Sequence, residues 1–429
     1  MISGLERVPT PAILRNLLLG LLLSSPRLSH VGFKLLDKMA YSKSTLLNPD
    51  ANPVLRAVVK PLFYDQFCAG TNQKEVFRTR DTIRRLGYAG VILCYGKEIQ
   101  ISRSKKLQST GSECTDQALE VEQWKEGNLR TLDMVGEGDW IGLKLTGAGP
   151  GVANALMNNQ DPPAEFVAAM DAICQKARSQ KCRLWVDAEQ QMFQTTIDRW
   201  TIDFMRKYNT NGKILVYSTI QAYLKSSRDK IKYQLSLAAA ENWTLAIKLV
   251  RGAYIANDQR EKIHDTKAHT DESYNSIVAD VLTGRNLGFL GSNGQSFPKI
   301  ALFLAGHNPE SVSKAWDLIQ ELSAKKELKV LPDFGQLQGM ADVLGCRLLQ
   351  KCDDLKASSE SSTRLDDASK EEVVAVPEVF KCLTWGSMQE CMQYLLRRLI
   401  ENQSGADRMR DGLTAYRQEL WRRWFGKSV

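Results

Sequence analysis

The hydrophobic pattern of the chain alternates between short apolar runs and longer stretches of helical periodicity. Eight apolar or β-branched runs predict strands, at 90–94, 140–145, 183–187, 213–217, 245–250, 299–304, 328–332 and 379–383. Helical patterns lie between them, for example at 163–180, 193–208, 221–242, 271–282, 309–325 and 337–349. Because parallel strands need crossover helices, the pattern predicts an α/β fold, a distorted (β/α)8 barrel of the TIM type.

An N-terminal helical arm, residues 1–60, precedes the predicted barrel at 61–429. Its apolar stretch 12–24 is shorter than the roughly 20 residues that cross a bilayer. The arm carries several Arg, Lys and Ser but few acids, as mitochondrial targeting segments do, although Pro9, Pro11 and Pro26 would interrupt a long amphipathic helix. Residues 1–60 are therefore either a targeting segment or an ordinary helical arm.

Two segments depart from the barrel rhythm. Residues 105–128 are polar and predict an insertion with helix in its second half, and 353–372 have the Ser-rich, acidic composition of a flexible loop. Neither segment is expected to carry chemistry.

The C-terminal stretch 394–402 predicts a helix over the active site. Met392, Leu395, Leu396, Leu399 and Ile400 recur at helical spacing and would bury one face. The other face then carries Arg397, Arg398 and Glu401. Two adjacent guanidinium groups can grip a carboxylate while the acid orients them, although a surface ion pair explains the same spacing.

Composition narrows the class of protein. The 429 residues are 43% hydrophobic and 25% charged, which is typical of a globular protein. The net charge of +8 is spread along the chain, which argues against a dedicated nucleic-acid binder. Nine cysteines without a CxxC pair indicate a reducing compartment, and four histidines without metal-ligand spacing predict no metal site.

Polar residues follow or interrupt the predicted strands, where the carboxyl ends of barrel strands gather reactive groups. They are Lys144, Asp187, Glu189, Gln221, Lys248, Arg251, His307 and Asn308. A charge inside an apolar strand costs several kcal/mol unless it is paired. These side chains are therefore expected to pair with one another, as a structural network, or with a ligand.

Several motifs in this order resemble the proline dehydrogenase family, especially its eukaryotic and fungal form. They are Tyr64–Gly70, Val186–Glu189, Ile220–Leu224, Lys248–Tyr254, Gly306–Asn308, Phe334–Met340 and Tyr394–Asn402. The resemblance runs from about residue 60 to the C-terminus. It implies a flavoenzyme that oxidises proline, with FAD held without a Gly-rich dinucleotide motif, and the chain has no GxGxxG between a strand and a helix.

The resemblance also implies roles for particular residues. Those that would line FAD are Gln221, Lys248, Arg251, Gly252, Ala253, His307, Asn308 and, as a weaker candidate, Lys267. Lys144, Arg397 and Arg398 would hold the substrate carboxylate, with Glu401 orienting the arginines. Leu337 would pack against the pyrrolidine ring, and Asp187 belongs to the same catalytic group.

Two residues depart from the family pattern. Cys382 replaces a tyrosine that crowds the substrate ring, and Cys94 replaces an acid before Tyr95. The expected reaction is hydride transfer to FAD from L-proline or a substituted proline such as hydroxyproline, giving the corresponding 1-pyrroline-5-carboxylate. An unaltered proline dehydrogenase that tolerates Cys382 is one alternative, and a flavin-binding scaffold protein is another.

The resemblance further implies a quinone or other electron acceptor, peripheral contact with a membrane, and a mitochondrial location. The cytoplasm is the alternative location.

Overall fold

A computed structural model of the chain describes residues 4–42, 44–95, 114–255, 257–288, 297–363, 376–401 and 406–426. The strands are β1 (Cys68–Gly70), β2 (Gly90–Tyr95), β3 (Trp140–Leu143), β4 (Arg183–Val186), β5 (Val216–Gln221), β6 (Leu245–Val250), β7 (Ile300–Ala305), β8 (Asp333–Leu337) and β9 (Val379–Trp385). Strands β2 to β8 pair in chain order, and β9 pairs with both β2 and β8. The parallel sheet therefore closes into an eight-stranded barrel, which confirms the predicted fold class, and β1 pairs with the outer part of β9 as an additional short strand.

Helices lie before, between and after the strands. They are α1 (Thr10–Ser24), α2 (Pro26–Tyr41), α3 (Pro53–Val59), α4 (Asp65–Phe67), α5 (Gln73–Arg85), α6 (Cys114–Met134), α7 (Pro150–Met157), α8 (Ala164–Ser179), α9 (Gln191–Tyr208), α10 (Ser227–Glu241), α11 (Lys267–Thr283), α12 (Pro309–Ala324), α13 (Asp342–Thr363), α14 (Met388–Glu401) and α15 (Ala406–Phe425). The chain divides into two compact units, Met1–Val91 with Gln336–Val429, and Ile92–Gly335.

Strand β5 begins later than the apolar run at 213–217 predicts. The side-chain oxygen of Asn209 accepts hydrogen bonds from the backbone N–H groups of Leu215 and Val216, both at 2.9 Å. These bonds tie the apolar residues before the strand to the end of α9. Gln221 is consequently the last residue of β5 and does not follow it.

Strand β8 also lies later than predicted, because the apolar run at 328–332 precedes it. The strand itself contains Asp333 and Gly335, which strand patterns do not favour. Asp333 pairs with Arg183 at 3.0 Å, and a Cβ at Gly335 would lie 2.6 Å from the Phe303 ring. Barrel contacts therefore select these two residues over local propensity.

Within the unit Ile92–Gly335, the barrel interior contains a cluster of aromatic rings. The ring centroid of Trp140 lies 5.6 Å from that of Trp185, 4.7 Å from Tyr217 and 5.0 Å from Phe303. All four side chains are buried. Alternate residues of each strand face the interior, so Lys144 and Asp187 continue the inward-facing rows of Trp140 and Trp185.

In the other unit, the N-terminal arm packs against the C-terminal helices. Leu5 and Ile13 are fully buried in a cluster with Tyr416 of α15. The Arg423 guanidinium donates hydrogen bonds to the backbone oxygens of Leu5 and Val8. Pro26 interrupts the helical arm as predicted, since α1 ends at Ser24 and α2 starts at Pro26, whereas Pro9 and Pro11 lie at the start of α1 and do not interrupt it. Across the described ranges, no helix is both long and apolar enough to span a membrane.

The structure differs from the sequence prediction in two predicted insertions and near the C-terminus. The prediction of a loop at 353–372 is wrong for 353–363, which continue α13, because the buried Leu349 and Cys352 anchor one face and extend the helix into its polar end. Helix α6 covers 114–128 and continues to Met134, while 105–113 and 364–372 lie outside the described residues. A further helix, α15, follows α14 and its C-terminal stretch 394–401.

Candidate active site

The centre of the candidate site is a group of three charged side chains at the carboxyl end of the barrel strands. Asp187, directly after β4, accepts a hydrogen bond from Lys248 Nζ at 2.5 Å, and its other oxygen lies 3.6 Å from Lys144 Nζ. Lys248 is 7% exposed although it lies within an apolar strand. Pairing offsets the cost of burying these charges. The structure thus brings three predicted site residues together, while their roles in binding stay predictions.

An indole ring lies beside this group. Lys248 Nζ is 3.9 Å from the ring centroid of Trp185, a geometry that attracts a cation to the negative face of the ring. Sequence reasoning missed Trp185. Its signal was the alternation of strand residues, because it lies two positions before Asp187 and shares its face.

Tyr254 was also missed as an individual residue. Its hydroxyl accepts a hydrogen bond from Lys144 Nζ at 3.3 Å, and the side chain is buried. Tyr254 closes the motif Lys248–Tyr254, so its position in the motif was the available signal.

The loop after β6 is shaped by Gln221. Its side-chain oxygen accepts a hydrogen bond from the backbone N–H of Ala253 at 3.2 Å. Gly252 has φ 144°, and a Cβ there would collide with the ring of Tyr223. Only glycine fits this position without moving the tyrosine. The observed reason for Gly252 is thus its close packing against Tyr223, which follows β5.

A second basic group lies farther along the chain. Arg251 Nε donates to Asp271 at 2.8 Å, and Lys267 Nζ donates to the other oxygen of the same carboxylate at 2.5 Å. Burial alone would raise the pKa of Asp271, but the hydrogen bonds from Lys267 and Arg251 lower it below its ordinary value. Arg251 also donates to Ser311, and Asn308 caps the start of α12 through the Ser311 N–H at 3.1 Å.

FAD is the cofactor that the resemblance implies, and the described residues fit it at two places. Gln221 is 3% exposed and its side-chain N–H2 group has no hydrogen-bond partner, so a buried donor remains for a ligand acceptor. Arg251 and the first turn of α12, capped by Asn308, offer positive charge and backbone N–H groups to phosphate oxygens. His307 is half-buried beside that turn.

Cys382 lies on β9 and is partly exposed. The preceding Lys381 points away from the barrel interior, because its Nζ pairs with Asp342, the first residue of α13, at 2.7 Å. Adjacent strand residues face opposite sides, so Cys382 faces the interior. Leu337 is the last residue of β8, and the backbone N–H of the following Gln338 donates to the Cys382 oxygen at 2.9 Å.

The predicted carboxylate clamp lies on α14. Met392, Leu395 and Leu396 are buried, as the apolar periodicity predicted. The side chains of Arg397, Arg398 and Glu401, with those of Leu399 and Ile400, lie outside the described residues.

Within the part of the chain that the structure describes, no three or more His, Cys, Asp and Glu side chains are grouped to hold a metal ion.

Comparison with known proteins identifies the family. A family model described as proline dehydrogenase matches residues 76–411. A curated relative from Schizosaccharomyces pombe, named "Probable proline dehydrogenase, mitochondrial", is 28% identical over 414 residues, covering 85% of this chain and 80% of the relative. Human mitochondrial proline dehydrogenase 1 is 31% identical over 261 residues, covering 59% of this chain. The aligned region is 37% of the human protein.

Two further comparisons bear on the pocket and the fold. A Bos taurus protein named hydroxyproline dehydrogenase is 28% identical over 263 residues, covering 60% of this chain and 50% of that protein. The crystal structure of proline utilization A from Bdellovibrio bacteriovorus, inactivated by N-propargylglycine, superimposes with a TM-score of 0.62 at 15% identity. It covers 89% of this chain and 37% of that one, and shows the same fold. Because the family model matches most of this chain, the chain belongs to the proline dehydrogenase family, of the eukaryotic type.

Proposed function

We propose that the protein is an FAD-dependent dehydrogenase that oxidises L-proline or a ring-substituted proline to the corresponding 1-pyrroline-5-carboxylate. The observation that carries the proposal is the group of the buried Lys248 and the partly buried Lys144 and Asp187 at the carboxyl end of the barrel strands. That end is where barrel enzymes place their reactive groups. The family membership supports the same reaction class.

The residues that would hold FAD are Gln221, Lys248, Arg251, Gly252, Ala253, Lys267, His307 and Asn308. FAD, when bound, supplies the acceptor for the hydride of the imino acid. Lys248 keeps a fixed positive charge at this end of the barrel, and Arg251 with Lys267 presents two cations near the start of α12. Gln221 offers its buried N–H2 group and holds the Ala253 backbone in place.

The substrate carboxylate would be held by Lys144 together with Arg397 and Arg398, which Glu401 orients. Lys144 supports this role because its ammonium group lies at the carboxyl end of the barrel strands, beside Tyr254 and Asp187. Leu337 would pack against the pyrrolidine ring. These contacts fix the orientation of the imino acid, which is the main contribution of the protein to such chemistry.

Cys382 supports a substrate with a ring substituent. A thiol facing the interior is much smaller than the phenol expected from the family, so space remains beside the ring. The bovine relative named hydroxyproline dehydrogenase supports the same preference. Plain L-proline remains the alternative substrate.

We also propose a mitochondrial location and a membrane quinone as electron acceptor. The names of the fission-yeast and human relatives support the location. Exposed leucines on α1, among them Leu14, Leu18 and Leu21, support peripheral contact with a membrane surface.

Anaerobic bleaching of the bound flavin tests the proposal. Purified protein should be yellow with FAD bound non-covalently, and the flavin should bleach with L-proline or a 4-substituted proline but not with D-proline or pipecolic acid at the same concentration. Folded protein that takes up no added FAD would count against the cofactor. Bound FAD that no cyclic imino acid bleaches would favour the scaffold alternative.

A further inference from the structure

The Lys248 ammonium has two neighbours of different chemistry. Asp187 accepts its hydrogen bond at 2.5 Å, and the face of Trp185 lies 3.9 Å from it. Asp187 is shared, since Lys144 lies 3.6 Å from its other oxygen. A lysine has a long flexible stem and a point charge, so one shared carboxylate restrains its direction poorly.

The Trp185 ring is closely packed. A Cβ at Gly142 would lie 2.7 Å from Trp185 Nε1 and 2.6 Å from the Cys94 sulfur, so the strand beside the ring must carry glycine. The Phe303 ring meets Trp185 edge-on at 5.2 Å between centroids. Trp185 is 2% exposed. The indole is therefore a rigid surface on which the ammonium rests.

We propose that Trp185 is a positioning residue that holds the Lys248 ammonium at the carboxyl end of the barrel, independently of the shared carboxylate. This inference rests on the proposed function. A turn of Lys144 toward a substrate carboxylate would change the surroundings of Asp187, whereas the closely packed indole face stays in place. Trp185 thus keeps the positive charge of Lys248 directed while its other neighbours rearrange.

A structural role alone would also explain a buried tryptophan, and the choice of variants separates the two. Trp185→Phe keeps a ring face, and Trp185→Met fills the space with a flexible side chain that has none. Trp140→Met is the matched control. Trp140 belongs to the same aromatic cluster, but its ring faces Arg183 at 4.0 Å, at the amino end of the strands.

The experiment measures the midpoint potential of bound FAD, the rate of its anaerobic reduction by L-proline or 4-hydroxyproline, and thermal unfolding for the three variants. Trp185→Met is expected to make the potential more negative and to slow reduction about three- to thirtyfold, the range that corresponds to ~0.5–2 kcal/mol for a cation–π contact. Trp185→Phe should lie between wild type and Trp185→Met. Trp140→Met should lower the unfolding temperature with the potential unchanged.

Wild-type potential and reduction rate in FAD-loaded Trp185→Met would overturn the inference and leave the proposed function standing. If Trp185→Met does not fold, Trp185→Phe decides the question alone, because phenylalanine holds a cation less strongly than tryptophan and packing predicts no change in potential. Wild-type protein that binds no FAD would overturn the proposed function, and the inference with it.

Discussion

The barrel interior holds two groups built from the same parts, a cation, an aromatic ring and a carboxylate, at opposite ends of the strands. The group at the amino end consists of Arg183, Trp140 and Asp333, each the first residue of its strand. The guanidinium donates to the carboxylate at 3.0 Å and lies 4.0 Å from the ring centroid. One positive charge meets one negative charge there.

The group at the carboxyl end has a different balance. Lys248 lies over Trp185 and pairs with Asp187, but Lys144 approaches the same carboxylate. Two lysine ammonium groups approach this one carboxylate. A positive charge held in a fixed place suits an anionic ligand, whereas a single ion pair serves stability. The contrast agrees with the general division of barrels into a stabilising amino face and a catalytic carboxyl face.

Removing the cation at each end tests this division most strongly. Lys248→Met should lower the rate of flavin reduction about 10²- to 10³-fold, the usual loss for one preorganised charged group. Its effect on stability should be modest, because Lys144 still pairs with Asp187. Stopped-flow reduction under anaerobic conditions measures the rate.

Arg183→Met is the matched control for the amino end. It removes the ion pair with Asp333 and should cost about 1–3 kcal/mol of unfolding free energy, less than a fully buried pair because both side chains retain some exposure. Its kcat/KM should stay within about threefold of wild type. Equal losses of activity in both variants would dissolve the distinction between the two ends.

The charged residues of the carboxyl-end group could largely be predicted from the sequence, whereas those of the amino-end group could not. Lys144 and Lys248 are charged residues inside apolar runs and Asp187 ends such a run, which is an unusual pattern and therefore informative. Arg183 lay at the start of a predicted strand without a visible partner. Its partner Asp333 lies on β8, which the hydrophobic pattern placed five residues too early.

The wrong position predicted for β8 has a physical cause. Local patterns report how a segment would bury itself, but β8 is selected by partners distant in the chain, Arg183 for Asp333 and Phe303 for Gly335. The sequence pattern also did not indicate that aromatic rings lie against these charges. A tryptophan such as Trp185 in an apolar strand reads as core, and only the tertiary structure shows that a cation lies on its face.

The proposed clamp on the substrate carboxylate gives a further prediction. Arg398→Ala should weaken binding of proline by roughly 1.5–3 kcal/mol, about ten- to a hundredfold, while FAD affinity stays unchanged. Substrate titration of flavin bleaching and FAD titration of the apo-protein measure the two constants. Arg422→Ala is the control, since the Arg422 side chain is 58% exposed and pairs with Glu419 on α15. Similar small effects in both variants would assign Arg398 to the surface as well.

The smallest expected effect concerns the ring of the substrate and not its charge. Cys382 faces the barrel interior, so the bulkier side chain of Cys382→Tyr should fill space beside the substrate ring. It should lower kcat/KM for 4-hydroxyproline or a methylproline relative to proline by about 1–3 kcal/mol, the usual scale of discrimination by pocket size. Proline itself, whose value should stay level or rise, is the internal control, and the midpoint potential of the flavin should not change. A native preference for proline that the substitution leaves unmoved would place Cys382 outside the pocket, and a shifted potential would show that the carboxyl-end charges respond to packing as well as to their own partners.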